Sequence, residues 1–245
     1  MAGRSAVGAD EPGGAVSRVY AHLRGQIVDG EIPPRTKINI ENVARELTLS
    51  QTPVREALQK LEADGLLDYV AGRGYTTTPK LDLAGLDALF ELRFLLEPWA
   101  ARAVATDRIA NPAAKLHDEL TRFESNIQRG GDLRQVVLAH DNAFHMLILT
   151  ATGNPLVRQS FEQSQAHLHL FRLSPIDHDG SIARHEHATI ADAIGRSDPD
   201  AAERAMRAHL RRSYVRSASA FDVQDDSRIE RAEQFPGVSS LRMVD

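Results

Sequence analysis

Beyond Pro79 the chain carries apolar residues at helical spacing and no strand pattern, cut at intervals by residues that end helices. The breaks are Asn111-Pro112, Gly130-Gly131, Gly153-Asn154-Pro155, Asp177 to Gly180, and Ser197-Asp198-Pro199. They delimit six helices, at about 82–106, 112–129, 132–151, 155–173, 181–195 and 199–219. Short links between long amphipathic helices leave one economical way to bury every stripe, an all-α antiparallel bundle over residues 80–221. Residues 222–245 are polar and read as a frayed tail.

Residues 15–79 follow a different order. Val16, Val19, Tyr20, Leu23 and Ile27 form the apolar stripe of a helix from Val16 to Asp29, ended by Gly30 and by Pro33-Pro34. Asn39 can cap a short helix from Ile40 to Leu47. After the turn Thr48-Leu49-Ser50, a third helix buries Val54, Ala57, Leu58 and Leu61 and ends near Asp64-Gly65. Pro53 sits in its first turn, where a missing N–H does no harm. Two extended stretches, Leu67–Val70 and Tyr75–Thr78, flank Ala71-Gly72-Arg73-Gly74 and predict a hairpin. Helix, helix, turn, helix, hairpin is the order of a winged helix-turn-helix. Residues 1–14 lack the apolar core of a signal peptide and read as a disordered leader.

The net charge of −5 is unevenly divided. Residues 1–80 hold ten basic and ten acidic side chains, and residues 81–245 hold nineteen and twenty-four. A DNA-binding unit tethered to an acidic domain has this form, because only the docking face must be positive. The absence of cysteine excludes disulfides and thiolate chemistry and fits the cytoplasm. No apolar run is long enough to span a membrane.

In a winged helix-turn-helix the start of the third helix meets base edges. Gln51, Thr52 and Arg55 stand there, with Lys60 further along. Glutamine can pair bidentately with adenine, and arginine with guanine. Ser50 and the amides at the helix start suit a phosphate. Arg73, between two glycines at the wing tip, can reach backbone or minor groove.

Asp141 and His145 lie at i and i+4 and share one helix face with Val137, Phe144 and Ile148. A carboxylate facing an apolar core needs a partner. His187 and His209 are equidistant from residue 198, so an antiparallel hairpin turning there sets them level. One Asp and three His converging from three helices suit Zn²⁺, and also Ni²⁺, Mn²⁺ or Fe²⁺. His167 and His169 could line the same cavity, His185 points to the other side of its helix, and His22, His117 and His178 read as surface residues.

Together these residues resemble the GntR family of bacterial regulators, in its FadR subfamily with an FCD sensor domain. Leu49 to Leu58 is similar to the family's recognition-helix signature, and Gly65-Leu66-Leu67 with Gly72-Arg73-Gly74-Tyr75 to its wing. Leu92-Arg93 and Leu96-Glu97-Pro98 resemble the opening sensor helix. Asp141 to His145, Glu186 to Ile190 and Ala205 to Leu210 resemble the metal-binding motifs. Six sensor helices match the shorter, VanR-type form. Gln51 stands where the family usually has arginine, Thr48 where it has a turn glycine, and Pro34-Arg35 where it has Pro-Gly. The resemblance implies a homodimer on a pseudo-palindromic operator, acting as a repressor by default, with a small carboxylate effector entering the sensor cavity. Arg93 is the candidate to hold that carboxylate, unless it pairs internally with Glu97 at i+4.

Two other classes compete. A helical-bundle metalloenzyme with an appended DNA-binding domain could activate water on the ion. Against it, no nucleophile motif is present, and Glu186 points about 100° away from His187 around the helix. The third class is a constitutive DNA-binding protein whose metal is only structural.

Overall fold

The computed structural model describes residues 12–107, 110–130, 132–173, 180–221 and 225–235. It separates into two compact units, Met1–Lys80 and Leu81–Asp245.

The first unit contains α1 (Pro12–Asp29), α2 (Ile40–Glu46), α3 (Gln51–Ala63), β1 (Leu67–Val70) and β2 (Gly74–Thr77). Val19, Leu23 and Ile27 of α1 and Val54, Ala57, Leu58 and Leu61 of α3 are buried, so the stripes seen in the sequence form one core. Asn39 caps α2 as expected, its Oδ1 accepting from the amides of Glu41 and Asn42. Helix α1 begins at Pro12, earlier than Val16, so the last part of the expected leader is helical; residues 1–11 lie outside the described residues. The wing pairs antiparallel from Leu67↔Thr77 to Val70↔Gly74, one residue earlier in its second strand than the β-branched run predicts. Thr77 is buried behind it, donating from Oγ1 to the Pro33 carbonyl and accepting from the Thr36 amide.

Two positions in this unit hold non-glycine residues at left-handed φ: Arg35 at 61° and Thr48 at 55°. They are the two places where the sequence departs from glycine in the resemblance. A side chain there crowds the following carbonyl, most of all a β-branched one. Thr48→Gly is therefore expected to stabilise the first unit by about 1 kcal/mol, the relieved strain exceeding the added chain entropy. Hydrogen exchange of the α3 amides checks this; slower exchange in the variant is the expected result.

The second unit contains α4 (Leu83–Thr106), α5 (Ala113–Arg129), α6 (Leu133–Ala151), α7 (Pro155–Ser164), α8 (Ala166–Leu173), α9 (Ser181–Gly195), α10 (Pro199–Ala218) and α11 (Asp225–Gln234). Helix α4 is buried over most of its length and packs chiefly on α10, which also pairs with α9 across the turn at Asp198. Helix α5 lies against α6 and α9. Asp82, Asp132, Asn154 and Asp198 cap their helices through side-chain oxygens. No helix among the described residues is long and apolar enough to cross a membrane.

Two expectations change. The helix at 155–173 is broken at Gln165, which adopts left-handed φ of 46° with neither glycine nor proline to announce it. The polar tail contains α11, held by Arg231 on Asp87 and by Phe235, whose ring stacks on Phe94 at 4.9 Å. Its few apolar residues are too sparse to show as a stripe, because only Ala232 and Phe235 meet the core while Ile229 stays exposed.

Candidate metal centre and DNA-reading face

Helices α6, α9 and α10 bring Asp141, His145, His187 and His209 together, with one donor atom of each within 4.8 Å of all the others. The three imidazole centroids form a near-equilateral triangle with sides of 5.1, 5.1 and 4.8 Å. The levelling of His187 and His209 about residue 198 is thus realised. His145 and His187 have no exposed surface and His209 almost none.

The outer nitrogens are tied. Nδ1 of His209 bonds Glu186 Oε2 at 2.7 Å. Nδ1 of His145 lies 2.6 Å from Glu97 Oε2, an ion-pair contact rather than a well-aligned hydrogen bond. Nδ1 of His187 meets His140 Nε2 at 3.1 Å. The inner nitrogens are not tied in this way. Nε2 of His187 and of His209 are buried without a hydrogen-bond partner. Asp141 Oδ1 lies 3.7 Å from His145 Nε2 and 3.8 Å from His187 Nε2. Those gaps are too long for hydrogen bonds, yet short enough for each pair of atoms to touch one ion at about 2.0–2.2 Å. Buried, unpartnered imidazole nitrogens facing a carboxylate fit a divalent cation, and these four residues could hold one.

Electrostatics agree with that donor set. Burial, then the neighbouring histidines and Arg93, drives the pKa of His187 well below its usual value. Burial lowers His209 too, against the pull of Glu186. Both therefore present lone pairs at neutral pH. Burial opposes the charge on Asp141, but the surrounding His145 and Arg93 outweigh it and its pKa is lowered. Burial likewise opposes Glu97 and Glu186, yet Arg93 beside the first, and His209 and Arg216 beside the second, hold both at about 2.

Arg93 is fully buried and donates from Nε to Glu97 Oε1 at 2.5 Å, so the internal pairing considered from the sequence exists. Its Nη2 also reaches to 3.4 Å from His145 Nε2, which places the guanidinium at the edge of the donor cluster. Sequence reasoning did not find Glu97, Glu119, His140 or Glu186 as parts of this centre. Glu186 does point about 100° away from His187, and there it meets His209 and the guanidinium groups of Arg212 and Arg216. His185 is exposed, His22 and His117 pair with Glu46 and Asp192, and His167 and His169 are outside the four-residue cluster. His178 lies outside the described residues.

On α3, Gln51, Thr52 and Arg55 are exposed in the first turns, while Val54, Leu58 and Leu61 are buried. Arg55 Nη2 rests 3.4 Å from Gln51 Oε1, so the two are neighbours at i and i+4. Ser50 occupies the N-cap position but makes no side-chain cap bond. Lys60 stands about 140° around the helix from Arg55 and lines a surface hollow with Ser17, Tyr20 and Asp64, so it is not brought together with the other three. Arg73 is exposed in the three-residue loop of the wing.

The buried histidines make the second unit acid-sensitive. A histidine whose pKa is lowered on folding binds fewer protons folded than unfolded once pH drops below about 6.5. Stability is then level above that value and lost as pH falls. With metal chelated, the unfolding free energy should decline from pH 6.5 to 5 by up to about 1.4 kcal/mol per pH unit for each histidine that stays neutral. Urea titrations at several pH values measure it, and His187→Phe should flatten the slope.

A family model described as "FCD domain" matches residues 88–212, and one described as "Bacterial regulatory proteins, gntR family" matches residues 15–76. Among curated relatives, the uncharacterized HTH-type transcriptional regulator YdhC of Bacillus subtilis is 25% identical over 203 residues, 82% of this chain and 90% of that one. The HTH-type transcriptional repressor RspR of Escherichia coli is 29% identical over 195 residues, 79% of this chain and 84% of that one. Among solved structures, E. coli McbR/YncC has the same fold, with a TM-score of 0.61 at 20% identity over 81% of this chain and 94% of that one.

Proposed function

Since the chain belongs to the GntR family of bacterial regulatory proteins and carries an FCD domain, we propose that it is a metal-dependent repressor whose hold on its operator is changed by a small carboxylate. That it is a DNA-binding transcription regulator and not an enzyme follows from the family and from the regulators among its relatives. The metalloenzyme alternative falls with that.

The observation that carries the proposal is the Asp141, His145, His187 and His209 cluster with the Arg93 guanidinium at its edge. Zn²⁺ is the ion proposed, with Ni²⁺, Mn²⁺ and Fe²⁺ accepting the same ligands. Asp141 and the three Nε2 atoms would hold it, and as a Lewis acid it would attract a carboxylate. Arg93 would then orient that carboxylate through a planar pair of N–H donors. Glu97 keeps the guanidinium in place. On the DNA side, Gln51, Thr52 and Arg55 would read bases, Ser50 and the amides of α3 would take a phosphate, and Arg73 would reach backbone or minor groove. Lys60 would add a more remote phosphate contact.

The protein would act in the cytoplasm as a homodimer on a pseudo-palindromic site. Leu95 and Trp99, 51% and 39% exposed and one turn apart on α4, offer apolar surface for a second copy. The boundaries proposed are 15–79 for DNA binding and 80–221 for sensing. Assignment to the FadR subfamily with a VanR-type sensor rests on counting α7 and α8 as one interrupted helix, which makes six from α4 to α10.

Arg55→Ala should cost about 1–3 kcal/mol per half-site on the operator and little on random DNA. Arg73→Ala should weaken both alike and reduce the salt slope by about one. Operator and random-DNA titrations at matched salt distinguish the two. An Arg55→Ala protein with wild-type operator affinity means that α3 does not read the bases.

Effector affinity should depend on metal, and by linkage an effector should tighten metal binding by the same factor. Calorimetric titration of simple di- and tricarboxylates into metal-loaded protein, chelated protein and His187→Ala measures this. Binding by the loaded protein alone is the expected outcome. Equal affinity in all three means that the ion is structural or absent and that the coupled model fails.

A further inference from the structure

The three histidines of the cluster are not supported alike. His145 and His209 have a carboxylate beside Nδ1, from Glu97 and Glu186. An ionised carboxylate only accepts, so it keeps a proton on Nδ1 of each ring and leaves Nε2 to face the cluster. His187 has another imidazole in that place, Nε2 of His140 at 3.1 Å. An imidazole nitrogen can donate or accept, so this contact alone does not decide which nitrogen of His187 carries the proton. The decision is made one residue further out. Nδ1 of His140 faces Glu119 Oε1 at 3.2 Å, and the other oxygen of Glu119 receives Arg122 Nη1 at 2.9 Å. A carboxylate on Nδ1 draws the proton of His140 there, which leaves its Nε2 as an acceptor. His187 must then donate from Nδ1, and its Nε2 faces Asp141 with a free lone pair.

Packing fixes both rings in that arrangement. His140 stacks on Phe123 at 4.1 Å and 12°, and His187 stacks on Phe144 at 4.0 Å and 2°. A partial turn of either ring would lose a face-to-face contact, and a full flip would carry the nitrogens away from their partners.

We propose that Glu119 and His140 form a two-residue positioning relay on α5 and α6 that sets the tautomer and orientation of His187, and so sets how tightly the cluster takes a divalent cation. The proposal rests on the metal reading above. Neither residue would touch the ion; each acts through His187. Outer partners of metal-ligating histidines commonly account for 10–100-fold in affinity, and the same range is expected here.

The test uses the full-length protein with Co²⁺ and Zn²⁺ as probes and ¹⁵N-histidine labelling. His140→Phe keeps the stack on Phe123 but removes the acceptor; Glu119→Gln leaves His140 in place and removes the anion. His140→Phe should lower Co²⁺ and Zn²⁺ affinity about 10–100-fold with unchanged helical circular dichroism. Long-range ¹H–¹⁵N spectra of the chelated protein, with His187 assigned by its loss in His187→Ala, should show the Nδ1–H form in wild type. Both variants should show a mixture with Nε2–H. His140→Gln, whose amide oxygen can accept from His187, should recover part of the affinity. A merely structural His140 would change stability and leave the tautomer as it was. Wild-type affinity and an unchanged His187 tautomer in both variants would overturn the relay while leaving the metal reading intact. A wild-type protein that takes up neither ion would overturn the metal reading, and the relay with it.

Discussion

An imidazole buried in an apolar bundle must account for two nitrogens, and the second unit is arranged around three that do so in the same way. Each turns one nitrogen outward to a polar partner and the other inward to a shared centre. Leaving a buried nitrogen unmatched costs on the order of 1–3 kcal/mol, a demand that a bound cation would meet at Nε2 of His187 and of His209. The outward partners spread the demand across the fold. Glu97 comes from α4, Glu119 from α5 through His140 on α6, and Glu186 from α9 to His209 on α10. The apolar residues around them, including Phe144, Ile148 and Ile190, exclude water and raise the cost of any mismatch. Helices α4 and α5, which supply none of the four clustered residues, are thereby tied to the centre as well.

Much of this was legible in the sequence, for reasons that can be named. Asp141 and His145 fall on one face because the helical period puts them there. His187 and His209 meet because an antiparallel hairpin equates distances from its turn at Asp198. Both inferences use geometry within one element or across one tight connection. The partners of the outer nitrogens depend on the azimuth of one helix against another, which no local pattern encodes. Glu186 shows the difference well: its direction on α9 was derived correctly, but what stands in that direction is on α10. Glu97 was visible only as a partner for Arg93, and its second bond to the cluster could not be seen.

The first unit was legible for another reason. Its elements are short, most are bounded by proline, glycine or a capping side chain, and the hairpin turn permits little choice. What the pattern missed there is small: one residue of strand register, an earlier start to α1, and the separation of Lys60 from Arg55 around α3. The misses in the second unit are larger. A helix breaks at Gln165 without a breaking residue, and α11 docks through a few contacts, among them those of Arg228, Arg231, Ala232 and Phe235. Tertiary contacts, not local preference, decide both.

The cluster contains a single carboxylate, and that number has a consequence for electroneutrality. Burial lowers the pKa of His187 and His209, and Arg93 is paired with Glu97. With a divalent cation on Asp141 and the three histidines, those four residues and the Arg93–Glu97 pair would together carry one net positive charge. In a medium that screens poorly, such a charge reaches several ångströms and is costly to leave alone. A guest bearing one carboxylate at that point brings the sum to zero. A neutral sugar leaves it where it was, and a cationic guest doubles it. On the proposed reading, the valence of the guest would be selected before its shape is tested.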